Sequence, residues 1–217
     1  MKLVLGSSSP SRKGLLRAGG IDPLIHAPNV DEEAVLACHT GASAKDAVLA
    51  LAEAKAQAVA PLYPEDVVVA CDSMLLLDGK LQGKPKTVDR AVERWRQQRG
   101  KTAELLTGHC VVLPETAQPS GGDSIGTERV HHVECVRTLI RFGSPSDADI
   151  RAYAEGGEPL FCAGAFTLEA QGAWFIDSIE GDPSSVIGLS LPLVRRVLAE
   201  YGVDISSLWN RGDHAHN

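Results

Sequence analysis

Along the chain the apolar positions change period several times, and each change predicts an element. Leu3-Val4-Leu5 is a short buried strand. It runs through Gly6-Ser7-Ser8-Ser9-Pro10-Ser11-Arg12-Lys13 into Gly14-Leu15-Leu16-Arg17-Ala18, the pattern of a strand crossing into a helix. Ser9 suits the helix cap, Pro10 suits the first helical position because its missing N–H would be unpaired there, and Gly19-Gly20 ends the helix. Residues 22–37 form a connector whose acidic triplet Asp31-Glu32-Glu33 is either a solvated helix start or a functional cluster. From Ser43 to Ala60 an Ala-rich stretch between a candidate cap and Pro61 predicts a second helix. At about 100° per residue, Val48, Leu51, Ala52 and Val59 share one face, Asp46, Glu53 and Gln57 fall opposite, and Lys55 lies within the apolar stripe.

Val67-Val68-Val69-Ala70-Cys71 is apolar throughout, as a central strand covered on both faces would be, and it ends in Asp72. Met74 to Leu77, Asp78-Gly79 and Lys80-Leu81 predict a hairpin with a two-residue type I′ turn. That register pairs Leu77 with Lys80, Leu75 with Gln82 and Ser73 with Lys84, which brings Lys84 beside Asp72. Thr87 to Gln98 is a capped helix with Val88, Ala91, Val92 and Trp95 inward. Glu104 to Leu113 and His131 to Phe142 alternate as two long antiparallel strands, with the Pro-, Ser- and Gly-rich residues 114–127 as a mobile hairpin loop between them. His109, His131 and His132 fall in or beside these strands. Adjacent strand residues face opposite ways, so core or surface roles suit them better than a shared metal.

Pro145 to Glu155 is a short helix ended by Gly156-Gly157, and the small residues of Cys162-Ala163-Gly164-Ala165-Phe166-Thr167 permit close backbone approach to a neighbour or ligand. Ala173 to Ile179 is a further strand, followed by a turn at Glu180 to Pro183. Leu191 to Tyr201 is the last helix, with Leu193, Val194, Val197 and Leu198 inward, and residues 209–217 are expected to fray. The alternation of strands and helices places the chain in the α/β class. With no repeat or linker, residues 1–217 read as a single domain.

Composition narrows the function classes. The net charge of −7 argues against broad binding to a nucleic acid polymer or an anionic membrane, while leaving room for a small anionic substrate in a local basic pocket. The N-terminus shows no leader pattern, and no apolar run approaches the ~20 residues that span a bilayer, so a soluble, cytoplasmic protein is expected. Five widely spaced cysteines without a C-x-x-C pair disfavour a disulfide framework or a zinc site, and most are expected to be small buried hydrophobes.

The candidate chemistry lies at three places. The Ser-rich turn, with Ser7, Ser9 and Arg12, is either an anion site, where free N–H groups and the helix dipole favour phosphate, or an ordinary capped turn. Lys55 either snorkels at the edge of a core or points into a cleft holding an anion; the cost of burying an unpaired charge favours the cleft. Asp72 stands at the carboxyl end of a central strand, where open α/β sheets place ligands, with Ser73 and Lys84 beside it as an acid–base pair or a structural ion pair. Cations for a polyphosphate and carboxylates for a metal and a water suggest phosphoanhydride hydrolysis. There is no Walker-type phosphate loop and no nucleophile elbow.

Six motifs then occur in one order: Leu5 to Leu16, Ala54-Lys-Ala-Gln-Ala58, Ala70-Cys-Asp-Ser73, Gly83-Lys-Pro85, Ala163-Gly-Ala-Phe166 and Ile179-Glu-Gly-Asp-Pro-Ser184. Over nearly the whole chain this resembles the Maf family. The resemblance implies an inosine triphosphate pyrophosphatase-like fold, with a mixed, elongated central sheet, flanking helices and a cleft between two lobes. It implies a homodimer that splits a nucleoside triphosphate into monophosphate and pyrophosphate with a divalent cation, Mg²⁺ or Mn²⁺, with Co²⁺ as a third candidate. Position by position, it implies that Arg12, Lys55 and Lys84 hold the triphosphate, that Glu32 and Asp72 serve the metal and the attacking water, and that Asp72 accepts the proton. The family's older association with septum formation also suggests a catalytically weak regulator of cell division. The chain departs from the family at Ser11, usually Arg, and Gly14, usually Glu. Phe161 and Cys162 stand where members preferring pyrimidine nucleotides tend to carry Asp-Lys.

Overall fold

The structure, a computed structural model, describes residues 1–117 and 129–210. In chain order these contain β1 (Leu3–Leu5), α1 (Pro10–Ala18), β2 (Leu24–Ile25), α2 (Glu32–Cys38), α3 (Ala44–Val59), β3 (Val67–Leu77), β4 (Lys80–Gln82) and α4 (Val88–Gln98). They continue with β5 (Thr102–Val112), β6 (His131–Phe142), α5 (Asp147–Glu155), β7 (Ile176–Glu180), α6 (Pro183–Ile187) and α7 (Leu191–Glu200). The seven strands form one mixed sheet in the order β2-β1-β3-β5-β6-β7, with β4 on β3. β1 runs parallel to β2 and β3, and the other pairs are antiparallel.

Period-two alternation in β3 distributes the core. Val67, Val69 and Cys71 pack with residues of α1 and α7, whereas Val68 and Ala70 pack under Ala52, Ala56 and Val59 of α3. Farther along, Leu75 and Leu77 join a third cluster with Trp95 of α4 and Ile150 and Tyr153 of α5. Each fully buried Leu or Val contributes roughly 1.5–3 kcal/mol. The Trp95 ring meets Phe142, Tyr153 and Phe175 edge-on, and its indole N–H donates to the Ala165 carbonyl at 2.7 Å.

Two approaches depend on a missing Cβ. Gly108 on β5 lies directly beneath α3: a methyl there would come within 2.5 Å of the Val48 carbonyl carbon and 2.9 Å of the Leu49 nitrogen. Gly164, at φ +69°, packs so closely on Leu75 that a Cβ would sit 2.9 Å from that residue's own Cβ. The neighbour anticipated for Ala163-Gly164-Ala165 is therefore the sheet. Arg129 fastens the start of β6 by donating to the backbone carbonyls of Leu113, Ala60, Tyr63 and Asp66.

The sheet edge explains the position of the cleft. β1 ends at Leu5, opposite Val69, and β4 covers β3 only from Leu75 onward. Between these points one edge of β3 has no strand beside it, and Asp72 and Ser73 fall in that gap.

Several expectations need correction. β3 does not stop at Asp72 but continues unbroken to Leu77, because β5 pairs with it from Val68 to Leu76. The hairpin has the expected Leu77–Lys80 and Leu75–Gln82 pairs, but β4 ends at Gln82, so Lys84 does not pair with Ser73. Residues 171–175 form a short 3-10 turn and the strand starts at Ile176, while the expected turn at Pro183 opens α6. Only Cys71 and Cys110 are fully buried. Most of loop 114–127 lies outside the described residues, as does 211–217. The stretch that begins at 209 is anchored at its start, since Asn210 donates its N–H to the Gly20 carbonyl at 2.8 Å. No described helix is long and apolar enough to cross a membrane.

Candidate active site

A cavity of about 640 Å³ opens at the gap in the sheet edge. One end is the crossing from β1 to α1. Ser9 caps α1 by accepting from the Arg12 N–H, and Pro10 takes the first helical position. Ser7 Oγ accepts from the Ser9 N–H and from Arg12 Nη1, each at 3.2 Å. The Arg12 guanidinium is held on three sides, since Nε also donates to the Gly188 carbonyl at 2.8 Å and Nη2 to Ser73 Oγ at 3.3 Å. A Cβ at Gly188 would stand 2.9 Å from Arg12 Nε, so the α6–α7 turn can meet the guanidinium only without a side chain. Behind Ser73, the buried Thr107 hydroxyl lies 3.1 Å away and donates to the Ser185 carbonyl. Hydroxyls therefore connect the cradle to α6.

The acid–base centre is built across three elements. Lys55, two turns beyond Val48, lies on the α3 face held close to the sheet at Gly108. Gly108 is also the residue paired with Asp72. The Lys55 ammonium reaches Asp72 Oδ1 at 2.6 Å and Glu32 Oε1 at 2.7 Å. Lys55 is 8% exposed, a depth at which an unpaired ammonium would be strongly disfavoured. Burial works to raise the Glu32 pKa, but the Lys55 hydrogen bond and charge, with Lys84 and Arg12 behind them, outweigh it and hold the carboxyl below its ordinary value. Glu32 opens α2 after its cap Asp31, so the acidic triplet serves as a helix start and also sends one carboxylate into the cavity. Among the described residues, no group of three or more His, Cys, Asp or Glu is placed to hold a metal.

The opposite wall comes from residues 158–170 and the loop carrying Lys84. Glu158 organises this wall. It accepts from Tyr153 Oη and the Gly172 N–H at 3.0 Å, the Gln171 N–H at 3.2 Å and the Thr167 hydroxyl. Burial raises the Glu158 pKa, but these donors, led by Thr167, bring it below its ordinary value. Phe161 lines the cavity while 71% exposed. Burial pushes the Cys162 thiol up to about 11, so it is not a thiolate near neutrality.

All the sequence-derived candidates line this one cavity: Ser7, Ser9 and Arg12 at one end, Glu32, Lys55, Asp72 and Ser73 at the centre, Lys84 on the far wall. The pairing differs from the expectation. Asp72 meets Lys55, and among the described residues Lys84 forms no ion pair. Lys13 does not line the cavity, whereas Ser11 does. Gly14 faces open space, with nothing within 4 Å of the place a Cβ would take, so close packing does not require glycine there. Sequence reasoning overlooked Thr107, Glu158 and Gly188. Glu158 directly follows Gly156-Gly157 and precedes Pro159, which by itself signals only a turn.

A family model described as Maf-like protein matches residues 2–201. A nucleoside triphosphate pyrophosphatase of Corynebacterium diphtheriae is 59% identical over 210 residues, covering 97% of this chain and 99% of that protein. One of Corynebacterium glutamicum is 54% identical over 210 residues, with 97% and 100% covered. One of Rhodococcus opacus is 48% identical over 219 residues, with 97% and 98% covered.

Proposed function

The chain belongs to the Maf family and is a nucleoside triphosphate pyrophosphatase, a hydrolase, and on that premise we propose how its own residues divide the work. Arg12, Lys55 and Lys84 bind the triphosphate, helped by the hydroxyls of Ser7, Ser9 and Ser73. The observation that carries this reading is that Arg12, Lys55 and Lys84 come together with the carboxylates of Glu32 and Asp72, from five separate stretches of chain, in the lining of one cavity.

Glu32 and Asp72 suit a divalent cation. Two carboxylates from the protein, with phosphate oxygens and water for the rest, form the hard-oxygen donor set that Mg²⁺ or Mn²⁺ takes in nucleotide sites, and Co²⁺ accepts similar ligands. When bound, such an ion lowers the charge on the phosphates and polarises the one under attack. The protein's part is to hold the α-phosphorus in line with a water beside Asp72, whose carboxylate accepts the proton. Water oxygen bonds to the α-phosphorus, the bond from that phosphorus to its bridging oxygen breaks, and pyrophosphate leaves with the electron pair. The cations neutralise charge on the phosphates, which is most of what a protein contributes to phosphoryl transfer.

The substrate is a modified or unusual nucleotide, or dTTP or UTP, and the protein acts in the cytoplasm as a homodimer. A panel of common and modified nucleoside triphosphates, each with Mg²⁺, Mn²⁺ or Co²⁺, tests the reading. The expected products are monophosphate and pyrophosphate. Orthophosphate with a diphosphate would place the cleavage elsewhere, and binding without any turnover would favour the regulatory role. Sedimentation of the purified protein tests the dimer.

A further inference from the structure

Two consecutive residues of α4 reach into the two loops that form the far wall of the cavity. Trp95 donates its indole N–H to the Ala165 carbonyl at 2.7 Å, and Arg94 donates from Nη1 to the Gly83 carbonyl. The loops are also joined to each other, because the Gly83 carbonyl accepts the Gly164 N–H at 3.3 Å and Lys86 donates its N–H to the Leu160 carbonyl at 2.9 Å. Lys84 stands between these two ties. Lys86 adopts φ +66°, a conformation costly for a residue with a Cβ and maintained only where neighbours enforce it.

Arg94 differs from its neighbours. Arg96 and Arg99 at the same end of α4 both pair with Asp147, whereas Arg94 meets no carboxylate among the described residues, and its one side-chain bond there goes to Gly83. It is half-buried beside the apolar face of α4. Burial pushes the guanidinium pKa down, with Arg90 adding to the effect, so this position disfavours the charge. A partly desolvated cation spent on a single carbonyl has its consequence at that carbonyl. The Gly83 peptide directly precedes the lysine whose side chain lines the cavity and whose charge acts on Glu32.

We propose that Arg94 is a positioning residue for substrate binding: by holding the Gly83 carbonyl it aims Lys84 into the cavity. The inference rests on the reading of Lys84 as a triphosphate ligand. Arg94 itself does not line the cavity and has no contact with the reacting atoms. Its effect passes through the backbone to Lys84, so removing it has a consequence only while Lys84 is present.

A double-mutant cycle on the full chain tests this, with pyrophosphate release measured on the triphosphate that turns over best. Arg94→Met removes the donor while keeping the stem, and Arg94→Lys retains a cation and a donor. The expected result is a KM raised about tenfold by Arg94→Met with kcat changed less than about twofold, and most of that loss recovered in Arg94→Lys. In a Lys84→Met background, Arg94→Met should add less than about twofold. Equal losses in both backgrounds, or an unchanged KM in Arg94→Met alone, overturn the proposal. If Lys84→Met leaves KM unchanged, the reading of Lys84 fails and the inference fails with it; a raised KM in Lys84→Met beside a silent Arg94→Met overturns the role of Arg94 alone. Where Arg94→Met does not fold by circular dichroism, Arg94→Gln is carried through the same cycle and judged by the same outcomes.

Discussion

Lys55 of α3 and Asp72 of β3 meet at 2.6 Å, with side chains only 10% and 13% exposed. Glu32 joins them from α2 at 2.7 Å. Substituting Lys55→Met leaves two carboxylates facing each other without a counterion, and breaking such a pair costs on the order of 3 kcal/mol. Urea unfolding near neutral pH should show that loss. Because the folded-state pKa of Glu32 is lowered, its contribution is present above the ordinary carboxyl pKa and fades as pH falls through the folded value. The difference between wild type and Lys55→Met should therefore shrink in acid.

Asp72→Asn keeps the size of the side chain and an oxygen that can still accept from Lys55, so its thermal unfolding should stay near that of the wild type. Pyrophosphate release should fall at least about 10²-fold, the range associated with loss of a general base. Near-normal release would remove Asp72 from the chemistry.

His109 is fully buried on β5. Its Nε2 accepts the Ser190 N–H at 2.8 Å, which places the proton of the neutral ring on Nδ1. Burial, reinforced by the charge of Arg12, pulls its pKa down to about 4. The unfolded chain therefore binds an extra proton between its ordinary pKa and that value, and stability is lost as pH falls through this window. Between about pH 7 and about pH 5 the linkage amounts to about 2 kcal/mol. The slope should be flatter in His109→Gln, and equal slopes for both proteins would reject the assignment.

Arg129 supplies hydrogen bonds to four backbone carbonyls from two connecting stretches, three between α3 and β3 and one just after β5. Arg129→Ala leaves those acceptors without this partner and should cost about 3 kcal/mol, a loss visible as a lower melting temperature. Arg129 does not line the cavity, so KM of the remaining folded protein should match the wild type.

Much of the fold is legible because its signals are local. The cap at Ser9, the alanines of α3 and the Asp78-Gly79 turn each act over a few residues, and the hairpin pairs match at Leu75 and Leu77. The partner of Asp72 is different in kind. Extending the hairpin register points to Lys84, but whether Lys55 arrives first depends on how closely α3 crosses β5, and Gly108 permits that at a position with no signal in its own neighbourhood. Glu158 is hidden for the same reason, since donors from residues 153, 167, 171 and 172 converge on it only after the chain has turned twice. Residues 173–175 are apolar enough for a strand, yet the 3-10 turn there lets Phe175 pack edge-on against Trp95.

The bond from Arg12 to the Gly188 carbonyl spans 176 positions of sequence. The first strand and helix leave the ribosome early, and Ser7 and Ser73 lie within about the first third of the chain, but the third partner of the guanidinium exists only once the α6–α7 turn has been made. The set of three partners around Arg12 is thus complete only when most of the polypeptide has been made. A truncated product ending before residue 188 would carry every acidic and basic group of the cavity and still lack the carbonyl that orients the first of them.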